Sequence, residues 1–240
     1  MTAGLQPLGT PSPSVVILAA GLGTRLGRPF PKPLTEMEDG RSIMQRQWET
    51  LRTALPGCQI HIVVGFKKEL VMEAFPDALF IYNSDYSETN TSKSLLRALR
   101  AAHSGRVLWL NGDVVFDEQV LPILYPCFEA ERTAVCVNTA RVAEEVKYTL
   151  TDDGYVRELS KSVQGALGEA VGINFVAARD RAALIRHLDA CDDSDYFERG
   201  IETAIVAGEL KVTAVDISGY GAVEVDTAED LAAATAAFRS

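Results

Sequence analysis

Four cysteines and three histidines are few for a chain of 240 residues. Cys58, Cys127, Cys136 and Cys191 form no CxxC pair, and His61, His103 and His187 sit at no ligand spacing. No zinc pattern is completed, and the thiols are expected to be free and buried, as in a reducing cytosol. No Lys/Arg cluster is present, and the formal net charge is -10, which speaks against a duplex nucleic-acid partner. No apolar run reaches membrane-spanning length, and no membrane partner is expected. No Ser/His/Asp or Cys/His arrangement for covalent catalysis stands out. Low-complexity blocks are absent as well. With 47% hydrophobic and 23% charged residues, the composition is that of a globular protein with a sizeable core. The first residues are rich in Pro, Gly, Ser and Thr and carry no basic or long apolar run. Residues 1–13 are read as a flexible lead-in rather than a signal peptide, residues 14–240 as one domain, and the location as cytoplasmic.

Strands and helices alternate through the first half. Residues 14–20 (SVVILAA) are a short continuous apolar run ending in Gly21, the pattern of a strand buried on both faces. Helical spacing covers 42–55, with Ile43, Trp48, Leu51 and Leu55 as its apolar set. A second buried strand is expected at 59–65, a helix at 67–75, a short strand at 79–82, a helix at 91–103 and a strand at 106–110 that runs into Asn111-Gly112-Asp113. This alternation means βαβ units and a largely parallel sheet. The pattern then changes to strands near 133–141, 147–151, 156–160 and 170–177, with a turn at Asp152-Asp153-Gly154. Helices at about 180–188 and 195–207, strands at 210–217 and 222–225, and a last helix from the N-cap Thr227 complete the chain. Trp48 and Trp109 sit in apolar runs and are assigned to the core. The fold class is α/β, a single domain with an antiparallel insertion in its second half.

The chemistry starts at Leu18-Ala19-Ala20-Gly21-Leu22-Gly23-Thr24-Arg25. Gly21 and Gly23 tolerate positive φ, so a strand can turn sharply there. Without side chains they let phosphate oxygens approach backbone N–H groups. Arg25 offers a planar fork for phosphate and Lys32, in Pro31-Lys32-Pro33, a mobile point charge. The dinucleotide fingerprint GxGxxG fails because its third glycine position is Leu26, and the P-loop GxxxxGK[ST] is absent.

The whole segment, LAAGLGTRLGRPFPKPL, resembles the signature of the nucleoside-triphosphate transferase superfamily, which includes the sugar-1-phosphate and phosphocholine nucleotidyltransferases. The resemblance implies a Rossmann-like, mixed but mainly parallel sheet flanked by helices. It implies triphosphate binding by Leu18, Ala19, Ala20, Gly21, Gly23 and Thr24, and roles for Arg25 and Lys32 in catalysis. It extends to Asn83-Ser84-Asp85-Tyr86, Asn90 and Ser94-Leu95, which resemble the segment marking the phosphocholine cytidylyltransferase branch. Asn83, Asn90 and Ser94 are therefore candidates for reading a cytosine edge, although Asn90, Thr91 or Ser92 could equally be a plain helix cap. Asp113 resembles the first metal aspartate of the superfamily, and Glu224-Val225-Asp226 resembles its Glu-Ile-Asp, with both carboxylates on one face of a strand. Mg²⁺, which takes a few carboxylates plus phosphate oxygens and water, is the implied cofactor.

On the acceptor side the candidates are Lys147, Lys161 and Glu169. Phosphocholine enzymes tend to carry a tryptophan near position 146, and this chain has Val146-Lys147-Tyr148 instead. A lysine there would repel a trimethylammonium group, which favours a more anionic acceptor or one with a small neutral or aminoalkyl tail, as in the related cytidylyltransferases that activate alkylphosphonates. The expected partners are CTP and a small phosphate or phosphonate, with a homodimer permitted. The loop fits a sugar-1-phosphate nucleotidyltransferase equally well. A non-catalytic NTP-sensing module would have no need of Lys32 and the aspartates together.

Overall fold

A computed structural model describes residues 12–23, 29–139 and 146–238. Thr24 and Arg25, and nearly all of the N-terminal lead-in, lie outside the described residues. Strands β1 (Ser14–Ala19), β2 (Ile60–Val64), β3 (Leu79–Tyr82) and β4 (Val107–Asn111) are parallel and lie in the order β4-β1-β2-β3. β9 (Gly168–Val176) runs antiparallel between β4 and β6 (Ala134–Asn138), and the hairpin β7 (Lys147–Leu150) and β8 (Val156–Ser160) pairs onto β9. β10 (Thr213–Asp216) lies beyond β6 and runs parallel to it, so the second half is not wholly antiparallel. Among the described residues these nine strands form one sheet.

Helices cover both faces, which is why β1 reads as an unbroken apolar run. α1 (Ile43–Ala54), α2 (Lys68–Ala74) and α4 (Val120–Glu129) bury Met44, Leu51, Val71, Leu124 and Phe128 against Val15, Ile17 and Ile62. α3 (Thr91–Ala101), α5 (Arg181–Asp189) and α6 (Phe197–Val206) bury Leu95, Leu99, Leu184 and Ile201 against Val16, Leu18 and Trp109. Each core leucine removed from water in this way contributes roughly 1.5–3 kcal/mol. Trp109 is fully buried edge-on to Phe197 (centroids 5.7 Å apart). Trp48 is only half-buried, packed against Phe75 at the rim of the core. Cys58, Cys127 and Cys136 are buried free thiols, and Cys191 is partly exposed.

The stretch 114–132, for which the sequence pattern predicts no element, forms β5 (Val114–Phe116) and α4. Pro122 and Pro126 obscure the helix in the sequence. Burial of its apolar side chains holds it despite the backbone hydrogen bond that a proline inside a helix forfeits. β5 pairs antiparallel with β11 (Ala222–Glu224), with Val114 opposite Glu224. α7 (Ala228–Ala237) follows, capped as expected by Thr227, which forms a reciprocal capping box with Asp230.

Two features of this topology position the site. The chain leaves β1 toward β2 on one side, while β4 returns to lie on the other, so loops diverge above the C-terminal ends of β1 and β4, where open α/β sheets bind ligands. The two residues Gly112 and Asp113 carry the chain from the main sheet to the small one, which brings Asp113 beside the end of β11.

Candidate active site

A cavity of about 370 Å³ opens above those strand ends. One wall is the loop after β1, represented by Leu18, Ala19, Gly21, Leu22 and Gly23. Gly23 has φ +62°, and a Cβ on it would lie 3.0 Å from Lys32 Cβ. Gly21 does not share that positive φ, and a Cβ there would meet nothing within 4 Å. The two glycines therefore differ: Gly23 makes the turn and admits Lys32, whereas Gly21 faces open space. Gly112 lets the end of β4 pack closely against β1, because a Cβ on it would stand 2.8 Å from the Leu18 carbonyl oxygen, to which its N–H donates.

Lys32 occupies the centre. It starts a single 3-10 turn (Lys32–Leu34) between two prolines, and its side chain is only 10% exposed. Its ammonium donates to Asp113 Oδ2 at 2.7 Å and to Asp226 Oδ1. Burial disfavours the charged lysine, but the Asp113 and Asp226 carboxylates overcome this and hold its pKa above the usual lysine value. Lys32 is thus a cation throughout the neutral range.

Asp113, Glu224 and Asp226 each bring a carboxylate oxygen within 4.8 Å of the others. Glu224 ends β11, and Asp226 stands just before the cap of α7. The cap itself is Thr227, so the Asp226 carboxylate is left for Lys32. The Val225 N–H donates to the Asp113 carbonyl at 3.0 Å and locks the two segments together. Asp113 Oδ1 is buried, and no hydrogen-bond donor among the described residues reaches it. A lone acceptor oxygen within a set of three carboxylates suits a hard divalent cation, so these residues fit a metal site.

The opposite wall comes from the start of α3 and from the segment before α6. Asn90 lines the cavity, yet its side chain is engaged in capping: Oδ1 accepts from Thr91 N–H at 2.8 Å and Nδ2 donates to the Ser194 carbonyl at 3.2 Å. Asn83 and Ser94 lie behind this wall. Asn83 is fully buried and donates from Nδ2 to Thr89 Oγ1 (3.0 Å) and Ser94 Oγ (3.1 Å), while its Oδ1 accepts from the Asp85 N–H (3.2 Å). It shapes the loop that lines the cavity and is not itself on the lining.

Of the acceptor-side candidates, only Lys161 lines the cavity, with its ammonium 5.1 Å from the centroid of the Tyr196 ring. Lys147 and Glu169 pair with each other in the β7–β9 register and are not on the lining. Side chains alternate along β7, and Val146 and Tyr148 take the inward face, so Lys147 points to the other one. The positive charge assigned to Lys147 is supplied at the cavity by Lys161. Ala20 is buried at the base of the loop and also lies off the lining.

Sequence reasoning missed Tyr196, Phe197 and Glu198, the N-cap and first two residues of α6, which line the cavity. Glu198 is buried. The available signal was an aromatic pair and an acid opening an amphipathic helix, an arrangement a core helix does not need at its first turn.

The arrangement is a glycine-containing loop, a buried lysine held by two carboxylates, a third carboxylate beside them and a mixed aromatic and charged wall. Several named proteins are similar to this chain in sequence or in fold. The CMP-5'-(3-aminopropyl)phosphonate synthase of Streptomyces rubellomurinus is 32% identical over 90% of this chain, which matches 37% of that longer protein. The 2-aminoethylphosphonate cytidylyltransferase of Lancefieldella rimae is 24% identical over 92% of this chain and 91% of its own length. In fold, the CTP:phosphocholine cytidylyltransferase of Streptococcus pneumoniae superposes with a TM-score of 0.74 at 21% identity, covering 95% of this chain and 100% of the other. Residues 15–194 match the model of the MobA-like NTP transferase domain, and the chain belongs to that family.

Proposed function

We propose that the chain transfers CMP from CTP to a small alkylphosphonate or phosphorylated alcohol and releases pyrophosphate. The observation that carries this reading is the Lys32–Asp113–Asp226 cluster with Glu224 beside it, set directly under the glycine loop. A non-catalytic sensor has no use for a buried lysine held between two carboxylates at the phosphate end of its cavity.

The reaction needs few steps from the protein. An acceptor phosphonate or phosphate oxygen, already ionised at neutral pH, attacks the α-phosphorus of CTP. The bond from that phosphorus to the bridging oxygen breaks, and pyrophosphate departs with the electron pair. No general base is required, so catalysis reduces to alignment and charge neutralisation. The loop 18–23 holds the triphosphate through backbone N–H groups. Lys32, protonated at neutral pH, offsets charge on the phosphates, and Arg25 is assigned the same task. Asp113, Asp226 and Glu224 are the residues that would hold Mg²⁺, which would supply neutralisation of phosphate charge there.

The acceptor end is the wall of Lys161, Tyr196, Phe197 and Glu198. A cation on an aromatic ring beside a buried carboxylate suits an acceptor with an anionic head and a short amino tail better than a bulky trimethylammonium. An aminoalkylphosphonate has that form, and two relatives bear names of enzymes acting on such compounds.

The test is a pyrophosphate-release screen that crosses the four NTPs with 2-aminoethylphosphonate, 3-aminopropylphosphonate, 2-hydroxyethylphosphonate, phosphoethanolamine, phosphocholine and hexose 1-phosphates. The expected result is turnover with CTP and an aminoalkylphosphonate or phosphoethanolamine, and little with phosphocholine. Turnover only with a hexose 1-phosphate would replace this reading with a sugar nucleotidyltransferase.

A further inference from the structure

The inward stripe of α1 contains one residue that an apolar core does not explain. Met44, Gln47 and Leu51 are successive positions of that stripe, and Gln47 is 1% exposed. Its Nε2 donates to the Asn111 carbonyl at 2.8 Å and to the Val114 carbonyl at 2.8 Å. Two carbonyl acceptors determine which end of the carboxamide faces the turn. Its Oε1 is buried with no hydrogen-bond partner among the described residues, so the side chain is held by these two bonds alone.

The two carbonyls have a particular place in the fold. Asn111 is the last residue of β4 and Val114 the first of β5. Between them stand only Gly112 and Asp113. One amide nitrogen therefore staples both ends of the two-residue crossing that carries the first carboxylate of the cluster. The same crossing fixes the other two carboxylates, because Val114 is in register with Glu224 and the Asp113 carbonyl accepts from Val225 N–H. The crossing keeps its Gly112 N–H bond to the Leu18 carbonyl and the Val225 N–H bond to the Asp113 carbonyl when the staple is removed, so the turn survives while the aim of Asp113 loosens.

We propose that Gln47 is a positioning residue: it aims Asp113, and through the β5–β11 pairing Glu224 and Asp226, so that the three carboxylates converge on one divalent cation. This rests on the nucleotidyl-transfer reading, in which those carboxylates are metal ligands. Partners one step removed from a metal typically change affinity or activity about 10–100-fold when replaced.

The experiment uses the full chain, with Gln47→Met (similar volume, no donor) and Gln47→Glu (similar shape, the amide nitrogen replaced by oxygen). Mn²⁺ is the probe, with binding followed by water-proton relaxation with and without CTP. Each variant is also melted, and Mg²⁺-dependent pyrophosphate release is measured. The expected result is a cooperative melt, Mn²⁺ affinity at least about tenfold below wild type, and kcat reduced with little change in KM for CTP. Raising Mg²⁺ should restore part of the rate, which a merely structural defect would not show. Unchanged Mn²⁺ affinity, no Mn²⁺ binding by the wild type, or loss of a cooperative melt in both variants would overturn the proposal. If wild type binds Mn²⁺ with the expected dependence on Gln47 but turns over no CTP and acceptor pair, the transfer reading fails and the positioning role stands.

Discussion

Replacing Lys32 with methionine keeps most of the side chain's length and removes the charge that Asp113 and Asp226 share. The structure sets the size of the effect. In the wild type the ammonium is 2.7 Å from Asp113 Oδ2, an attraction of about 6 kcal/mol at an effective dielectric constant of roughly 20. Without it, three carboxylates remain with oxygens inside 4.8 Å, and each ionised pair repels by about 3 kcal/mol or more on the same scale. Desolvation of the wild-type pair cancels much of the attraction, so the net loss is about 3–5 kcal/mol, the usual result of removing one partner of a buried ion pair. The lower end applies, because the Asp113 and Asp226 side chains are 21% and 13% exposed. Urea unfolding at pH 7.5 without divalent ions, followed by tryptophan fluorescence, should show that loss. Added Mg²⁺ should recover up to about 2.7 kcal/mol at a hundred times its dissociation constant, and should stabilise the variant more than the wild type, in which Lys32 competes for the same oxygens. Pyrophosphate release should fall on the order of a hundredfold or more even at saturating Mg²⁺. The pH dependence has a defined sign. The two carboxylates hold the folded pKa of Lys32 above the ordinary lysine value, so its contribution is complete at neutral pH and is lost only as pH rises through the folded value. A variant as stable as wild type without Mg²⁺, or turnover within a few fold of it, would refute both the electrostatic argument and the catalytic assignment.

The loop glycines should separate in their effects. Gly23→Ala forces a Cβ into φ +62° and against Lys32 at 3.0 Å, so kcat/KM for CTP should drop about tenfold with roughly 1–2 kcal/mol of stability lost. Gly21→Ala meets nothing within 4 Å, so its melt should match wild type and any rise in KM for CTP reports ligand contact alone. Asn83→Ala removes three hydrogen bonds, one of them fully buried, and should cost about 2–3 kcal/mol. Hydrogen exchange across 84–90 should accelerate, and unchanged exchange there would mean that Asn83 does not hold the cavity wall.

The elements that could be read from the sequence are those whose local pattern agrees with their surroundings. β1 is apolar throughout because helices cover both faces, and α1, α3 and α7 begin at the capping residues Ser42, Asn90 and Thr227. α4 was hidden because two prolines outweigh apolar periodicity in any local reading, whereas in the fold burial outweighs the prolines. The site divides along the same line. Leu18, Gly23, Lys32, Asp113 and Asp226 sit in contiguous motifs, and the fold brings those motifs to one cavity. Asn83 and Asn90 satisfy the same motif logic, but their polar atoms are committed to one another's neighbourhood: a side chain suited to reading a base edge is equally suited to capping a helix or pinning a loop. Tyr196, Phe197 and Glu198 carry no motif and reach the cavity only because α6 packs on α3 and β8. Gln47 is the limiting case. Its one local signal is an uncharged amide on a core stripe, and what that amide touches depends on where β4 gives way to β5, a junction 64 residues along the chain. Residues proposed to contact phosphate are legible because that chemistry would restrict their type. Residues that aim them are restricted only by geometry, and become visible once the strands are in register.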